Sequence, residues 1–458
     1  MFPEAFRQRI RKQEYINADE LLHGLACPSP VTVRINRKKW NKIPENSDPV
    51  KWCSDGFYLE KRPSFTLDPL FHAGCYYPQE ASGMFVGEVY RQTIGEARDL
   101  RILDLCGAPG GKATHLSTLI GDNGYLVANE VIRSRAVILA ENLIKWGSSN
   151  FIVTQNDPSA FSRLPGFFDM ILADAPCSGE GMFRDQIAVN EWSEENAALC
   201  SDRQKRILAD VWPALKNGGI LIYSTCTFNP DENEKNVKWI TEQEEAETVR
   251  LDISDYDGVT EIIHNGVYGY GFYPGKIRGE GLFISVLRKT GGIERMPYKG
   301  NVKVRMPDKN EINIVSELSH FSHDRIINVN DRLISIPCSF NDYLLLSGSL
   351  KIIKPGTLIC TRKKKNLIPS HELAMSAYMN NSVYPNLDLG IDEALSFLRR
   401  ESISLPGSSK GWILVCYNGV NLGFMNNIGS RINNYYPVEW RIRMNINDKG
   451  ERNIINWK

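Results

Sequence analysis

The chain has 458 residues, so more than one hydrophobic core is expected, and 42% hydrophobic and 24% charged residues are typical of a globular protein. It contains no apolar run long enough to cross a membrane and no secretory leader, so we expect a cytoplasmic protein with no membrane contact. The formal net charge is zero, but residues 76–290 carry −10 while residues 1–75 and 291–458 carry +3 and +7, which suits an enzyme whose flanks bind a polyanion.

The N-terminal part is predicted to contain a helix over residues 1–28 and a strand over residues 30–36. A turn-rich stretch follows, and the chain becomes helical again from Gln79 onward. We therefore place a first domain, an N-terminal extension, at residues 1–78.

From residue 100, short apolar runs alternate with segments of helical periodicity. Strands are predicted at 100–106, 124–130, 150–157, 167–176, 218–228 and 279–289, and helices at 110–121, 132–147, 194–215 and 231–243. This alternation predicts an α/β domain over residues 79–290, with a parallel sheet covered on both faces. Ligands of such sheets bind at the carboxyl ends of the strands.

Residues 288–300 resemble a linker, and a middle domain of mixed character is expected over residues 291–385. The last domain, residues 386–458, begins with a predicted helix and continues with a hairpin that turns at Tyr417–Val420. Its pattern indicates a small α+β or barrel-like module.

A glycine loop, residues 104–112 ("DLCGAPGGK"), follows the first strand of the α/β domain and opens a helix. Its glycine spacing fits neither the phosphate loop of nucleoside triphosphatases nor the G-x-G-x-x-G motif of dinucleotide-binding proteins. Glu130 ends the next strand, where an acid typically binds ribose hydroxyls, and Asp157 ends the third strand, where an adenine edge would lie. This combination favours S-adenosylmethionine over NAD or ATP as the ligand.

The ten cysteines show no C-x-x-C spacing, so we expect neither a zinc site nor a disulfide scaffold, and no metal. Cys177 and Cys226 follow two predicted strands and are expected to face one pocket. A thiolate can add to carbon 6 of cytosine and thereby make carbon 5 nucleophilic enough to accept a methyl group. Lys112 is a candidate to lower the pKa of the thiol, and Asp174 a candidate to hold the ring edge. The residues alone leave open which thiol attacks.

Three stretches, "DLCGAPGGK", "DAPCSGEGMF" and "STCTFNPDENE", in this order and spacing, resemble the RNA 5-methylcytosine methyltransferases of the NOP2/Sun family. Within that family the chain is most similar to members that act on bacterial small-subunit ribosomal RNA. The resemblance implies a class I, Rossmann-like methyltransferase domain dependent on S-adenosylmethionine. It also implies an RNA-binding character for the N-terminal extension and a PUA-like RNA-binding module at the C-terminus.

The resemblance also implies roles for single residues. Cys226 would be the nucleophile and Cys177 would assist product release, while Asp174 would contact both the methyl donor and the cytosine. Glu130 and Asp157 would hold the ribose and the adenine. The remaining residues of the implied donor site are Cys106, Gly107, Ala108, Pro109, Gly110, Gly111 and Lys112.

Ribosomal RNA, or the small ribosomal subunit, is the expected partner, and a monomer is favoured. Basic and aromatic residues that are candidates for RNA contacts are Arg34, Lys38, Lys39, the run Arg362–Lys365, Tyr435 and Tyr436. The alternatives are a tRNA cytosine-5 methyltransferase, a non-catalytic RNA-binding protein of ribosome assembly, and an amino-methylating enzyme. The last is disfavoured because a nitrogen lone pair needs no thiol.

Overall fold

The computed structural model of the protein describes residues 2–292, 304–363, 366–403, 410–444 and 453–458. Of the predicted linker, residues 293–300 lie outside the described residues. None of the described helices is both long enough and apolar enough to cross a membrane.

The N-terminal segment contains two helices rather than the single one predicted over residues 1–28. Helix α1 (Glu4–Ile10) ends before a turn, and α2 (Ala18–Ala26) begins where the side chain of Asn17 accepts a hydrogen bond from the amide of Glu20. Strand β1 confirms the predicted strand and lies in an antiparallel sheet of order β2-β3-β1-β4. The strands are β1 (Val31–Ile35), β2 (Ser47–Val50), β3 (Cys53–Leu59) and β4 (Tyr76–Pro78), and the helices that follow are α3 (Pro69–His72) and α4 (Val86–Thr93).

The α/β region follows the predicted alternation closely. Its strands are β5 (Leu100–Asp104), β6 (Gly124–Asn129), β7 (Phe151–Thr154), β8 (Phe168–Asp174), β9 (Leu215–Thr225), β10 (Ala246–Thr248), β11 (Thr260–His264), β12 (Val267–Phe272) and β13 (Leu282–Lys289). Its helices are α5 (Gly111–Ile120), α6 (Arg133–Trp146), α7 (Gln186–Glu191), α8 (Glu194–Val211) and α9 (Glu234–Gln243).

The remaining described residues form two further four-stranded sheets with short helices. One sheet contains β14 (Ile326–Val329), β15 (Arg332–Ser335), β17 (Thr357–Lys363) and β18 (Asn366–Pro369), and the other contains β19 (Asn386–Asp388), β20 (Gly411–Tyr417), β21 (Val420–Asn427) and β22 (Ile432–Asn434). The short strand β16 (Ile352–Lys354) belongs instead to the central sheet. The helices are α10 (Lys309–Leu318), α11 (Phe340–Ser349), α12 (His371–Met375) and α13 (Ile391–Leu398). The predicted hairpin is confirmed, because β20 and β21 pair antiparallel around Asn418 and Gly419.

The central sheet has the order β11-β12-β13-β9-β8-β5-β6-β7-β16, with β10 beside β13. Strands β9, β8, β5, β6 and β7 run parallel, as predicted, but the predicted strand β13 pairs antiparallel with β9, so the sheet is mixed. Three additions were not predicted: β10 pairs with β13, the β11–β12 hairpin continues the sheet on one side, and β16, from the predicted middle domain, pairs with β7 on the other. Buried apolar side chains fill both faces of the sheet, so the carboxyl edge of the parallel strands is the part left to polar groups.

Candidate functional site

The carboxyl edge of the parallel strands opens into a cavity of about 430 Å³. Segments that are distant in sequence form its walls: the glycine loop, the end of β8, the residue after β9 and the residues before β13. Most of the predicted site residues line this cavity, namely Cys106, Gly107, Ala108, Pro109, Gly111, Lys112, Asp174 and Cys226. The structure therefore brings together residues separated by more than a hundred positions.

The glycine loop is held to its neighbours by backbone and amide hydrogen bonds. The amide of Gly107 donates to the carbonyl of Asn129 over 2.8 Å, and the side chain of Asn129 donates back to the carbonyl of Leu105 over 3.0 Å. Asn142, on α6, donates to the carbonyl of Pro109 over 2.8 Å. Gly110 has φ +124°, a conformation that side chains disfavour, and it directly precedes α5.

Asp104, the last residue of β5, is an ionisable group with unusual surroundings. Its side chain is fully buried against the cavity, and among the described residues no donor makes a regular hydrogen bond to either carboxylate oxygen. Burial, together with the nearby Asp174 carboxylate, raises the pKa of Asp104 to about 8. A carboxylate left without a partner in a cavity wall is a ready acceptor for a cationic ligand group.

Glu130 and Asp157 lie at the same edge of the sheet but do not line the cavity. Glu130 is buried, accepts a hydrogen bond from the amide of Ile132 over 3.0 Å, and lies 3.5 Å from the guanidinium of Arg135. Asp157 is half-exposed, caps the turn after β7 through Ser159, and lies 3.9 Å from Arg206. Contacts of these two acids with ribose and adenine remain predictions.

Lys112 and Asp174 form an ion pair across the cavity, with 2.7 Å between Nζ and Oδ2. The second oxygen of Asp174 accepts a hydrogen bond from the hydroxyl of Ser224 over 2.6 Å. Burial acts to lower the pKa of Lys112, but the interactions with Asp174 and Cys226 outweigh it and keep the pKa above its ordinary value. Lys112 is thus held in its charged form, and an effect of this charge on the thiol remains a prediction.

The two cysteines at the strand ends are neighbours, with 3.1 Å between their sulfur atoms. The amide of Cys226 donates to the sulfur of Cys177 over 3.2 Å. The hydrogen bond with Cys226, followed by burial, raises the pKa of Cys177 well above its ordinary value. Cys226 lines the cavity and Cys177 does not. The pair is therefore asymmetric: one sulfur faces the ligand space, and the other stays a protonated thiol behind it.

Two buried glutamates join the loops that carry these thiols. We call residues 175–182 the first cysteine loop and residues 226–233 the second cysteine loop. Glu232, in the second loop, accepts hydrogen bonds from the amide of Ser178 over 2.9 Å and from its hydroxyl over 2.5 Å. Glu180, in the first loop, accepts a hydrogen bond from the amide of Phe228 over 3.1 Å. Each loop thus supplies a carboxylate that fixes the other.

Sequence reasoning did not single out Glu180, Glu232 or Asp104 as site residues. The signal was present, because each is an acid within or next to an apolar strand or a cysteine motif, where an unpaired charge is costly. Which donors meet these acids depends on contacts between distant segments, and periodicity does not report such contacts.

Two candidate RNA contacts, Arg34 and Tyr436, are wrong because their side chains are buried. The guanidinium of Arg34 donates to Gln79 and Thr114, each over 2.7 Å, and lies 4.3 Å from the ring centre of Trp146. Lys39 donates to two backbone carbonyls, and Tyr436 is fully buried. Lys38, Arg362, Lys363 and Tyr435 are exposed, whereas Lys364 and Lys365 lie outside the described residues.

The described residues contain no cluster of His, Cys, Asp and Glu side chains able to hold a metal ion.

Three family models match this chain. The model described as 16S rRNA methyltransferase RsmB/F matches residues 93–288, the N-terminal domain of 16S rRNA methyltransferase RsmF matches residues 2–81, and the methyltransferase RsmF PUA domain matches residues 384–442.

Similar whole proteins carry one common name. Ribosomal RNA small subunit methyltransferase F of Shewanella oneidensis is 28% identical over 92% of this chain and 93% of its own length. The protein of the same name from Shewanella sp. strain W3-18-1 is 30% identical over 85% of this chain and 84% of its own length. The crystal structure of a methyltransferase homolog protein from Pyrococcus horikoshii is 27% identical, with a TM-score of 0.54, over 63% of this chain and 95% of that one. These likenesses confirm the predicted methyltransferase fold with a PUA domain at its C-terminus.

Proposed function

The chain belongs to the family of the ribosomal RNA small subunit methyltransferases F, and on that premise we propose that it methylates carbon 5 of cytosine in small-subunit ribosomal RNA. The observation that supports this reaction best is the asymmetric thiol pair: Cys226 lines the cavity, and Cys177 lies 3.1 Å behind it. An enzyme that methylates an amino nitrogen has no use for such a nucleophile.

The methyl donor in this proposal is S-adenosylmethionine, which supplies an activated methyl group on a sulfonium centre. The residues present fit it. The buried Asp104 carboxylate, without a regular protein donor, matches the donor's ammonium group, and the glycine loop lets the backbone approach a ligand closely. Glu130 and Asp157 would hold the ribose and adenine ends.

Cys226 acts as the nucleophile in this mechanism. Its thiolate adds to carbon 6 of the cytosine, and the resulting electron-rich carbon 5 takes up the methyl group. A base then removes the proton from carbon 5, and elimination releases the sulfur and restores the aromatic ring. Lys112 stabilises the thiolate by its charge, and Asp174 orients the ring edge while it holds Lys112 in place.

In this mechanism Cys177 assists release of the methylated product and does not attack the cytosine. As a protonated thiol in contact with the attacking sulfur, it can stabilise the Cys226 anion by hydrogen bonding before addition and again at elimination. We propose that the protein acts in the cytoplasm, because its relatives are named as ribosomal RNA methyltransferases. A stacked cytosine must first leave its helix, at a cost of a few kcal/mol.

Bisulfite mapping of ribosomal RNA and tRNA, from cells with and without the gene, tests the substrate. A gene-dependent 5-methylcytosine in small-subunit ribosomal RNA is expected; one found only in tRNA would replace that substrate, and none in either would refute the reaction.

Separate replacement of the thiols tests the mechanism. Cys226→Ala should abolish methyl transfer, and Cys177→Ala should accumulate a covalent protein–RNA adduct visible on a denaturing gel. The reverse pattern would exchange the two roles, and full turnover by Cys226→Ala would end the covalent mechanism.

A further inference from the structure

Helix α1, at the start of the chain, contacts both cysteine loops. The guanidinium of Arg9 lies 2.6 Å from a carboxylate oxygen of Glu180 in the first cysteine loop. The side chain of Gln13, just after α1, donates to the carbonyl of Phe228 in the second cysteine loop over 2.8 Å. Helix α1 belongs to the N-terminal extension, which the sequence analysis expects to bind RNA. This extension thus contacts the loops that carry the two thiols.

Glu180 is the point where these contacts meet. Its side chain is completely buried, and its oxygens accept hydrogen bonds from the amide of Phe228 and from the indole of Trp192 over 2.9 Å. Arg9 is the cation that the structure pairs with this carboxylate. A buried charge is tolerated only where it is paired and hydrogen-bonded, so the loop conformation depends on the guanidinium that helix α1 supplies.

Apolar contacts fix helix α1 against the same loop. Phe6 is fully buried, with its ring centre 4.9 Å from that of Phe183 and 6.3 Å from that of Trp192. Phe183 directly follows the first cysteine loop, so movement of α1 would also move this loop.

The link from Glu180 to the nucleophile is short. The amide of Gly181 donates to the carbonyl of Cys226 over 2.9 Å, and Phe228 is two residues beyond that cysteine. A shift of Glu180 therefore changes the backbone around the attacking sulfur and its 3.1 Å contact with Cys177.

We propose that Arg9 is a positioning residue: through Glu180 it holds the two cysteine loops together and sets the geometry and reactivity of the thiol pair. This proposal rests on the proposed function for its link to methyl transfer, but its structural part concerns the thiols alone. Arg9 touches neither the cavity nor the thiols.

The rival role for Arg9 is a direct contact with RNA phosphates. The two roles differ in what they change. A phosphate contact affects the KM for RNA and leaves the free enzyme as it was. A positioning contact affects the thiols before any RNA is present and lowers kcat, since small displacements of reacting groups cost large factors in rate.

The test compares Arg9→Ala with Arg7→Ala in the full-length protein. Arg7 is a matched control because it has the same chemistry on the same helix, but its ion pair within the described part of the chain is with the exposed Glu4. The first readout is the rate at which iodoacetamide alkylates Cys226 and Cys177 without RNA, followed by mass spectrometry. The second is kcat and the KM for RNA.

Arg9→Ala should change the ratio of Cys226 to Cys177 alkylation severalfold and lower kcat by about tenfold or more, with little change in the KM for RNA. Arg7→Ala should match the wild-type protein in every readout, and Arg9→Lys should restore part of the loss. If Arg9→Ala does not fold, Arg9→Gln takes its place in both readouts, because it removes the charge that pairs with Glu180 and keeps a hydrogen-bond donor.

Unchanged alkylation with a raised KM for RNA would overturn the proposal in favour of phosphate binding, and identical behaviour of Arg9→Ala and Arg7→Ala would overturn it outright. Altered thiols in a protein whose wild type methylates no cytosine would uphold the positioning role and refute the proposed function instead.

Discussion

On one side of the cavity, the glycine loop is held by Asn129 and Asn142, which are 24 and 33 positions from the residues they contact. On the other side, the two cysteine loops are held by Arg9 and Gln13, which are 171 and 215 positions from their partners. This difference explains why a sequence motif is enough to identify the glycine-loop side of the cavity. Its geometry is built within one continuous stretch of the chain, from β5 to α6, whereas the cysteine side is assembled only when distant segments fold together.

The largest expected effect comes from a substitution that removes the hydrogen bonds between the two cysteine loops. Glu232→Ala should lower the free energy of unfolding by about 3 kcal/mol, because several buried donors, including the amide of Ser178, lose their acceptor. Urea unfolding measures this loss.

Glu234→Ala is the matched control for that variant, since Glu234 is also buried in the same region but one of its carboxylate oxygens has no hydrogen-bond partner among the described residues. A loss of similar size in both variants would show that the bonds between the cysteine loops do not contribute.

Removal of the positive charge of Lys112 should affect the rate of methyl transfer more than the free energy of unfolding. Lys112→Met is expected to reduce methyl transfer by about 100-fold, because neither Asp174 nor the thiolate keeps a counter-charge. The measurement is a single-turnover rate with saturating donor and RNA.

Lys216→Met serves as the control, because Lys216 pairs with Asp169 at the opposite end of the same strand, β8. Equal rate losses in the two variants would mean that the loss at Lys112 is not specific to the cavity.

A pair of glycine substitutions compares the two sides directly. A Cβ atom at Gly181 would lie 2.5 Å from the carbonyl oxygen of Gly281, so Gly181→Ala should cost about 2 kcal/mol of stability. A Cβ atom at Gly107 would lie 3.1 Å from the Asp104 carboxylate, a side chain able to shift, so Gly107→Ala should cost under about 1 kcal/mol. Thermal unfolding measures the loss of stability in both variants. A larger loss for Gly107→Ala than for Gly181→Ala would contradict the expected difference between the two sides.

The smallest expected effect is a pH dependence on the glycine-loop side. The pKa of Asp104 is about 8 in the folded protein, above its unfolded value, so the folded state binds the extra proton. Stability from this group is complete below the unfolded pKa and declines as pH rises toward 8. A cationic donor favours the ionised form, so its affinity should increase with pH up to that value, by at most about tenfold per unit.

Asp104→Asn should remove this dependence, as measured by calorimetric titration of S-adenosylmethionine at several pH values. An unchanged pH profile in the variant would show that Asp104 is not the group responsible for the dependence.

The sequence sufficed for the parallel strands, for the glycine loop and for the place of Cys177 and Cys226 at one edge, because each depends on local periodicity and on strand ends that share an edge. The expectation that both thiols face one pocket was wrong for Cys177, which lies behind Cys226 and does not line the cavity. The sequence failed where burial depends on distant partners. Arg34 resembles a phosphate contact in sequence but is enclosed by Gln79, Thr114 and Trp146. The β11–β12 hairpin and the strand β16 were missed because they lack a clear apolar pattern: two glycines interrupt β12, and β16 has only three residues.

Strand β16 has a consequence for how this protein can be divided. It pairs with β7 at the margin of the central sheet, and the backbone of Gln155 continues this contact by donating to the carbonyl of Lys351 over 3.0 Å. A polypeptide shortened to the first 290 residues would keep every residue of the cavity but leave β7 with unpaired amides and carbonyls. An unpaired edge strand of this kind promotes self-association. The C-terminal part of the chain, residues 291–458, therefore protects the methyltransferase domain from association with its own copies.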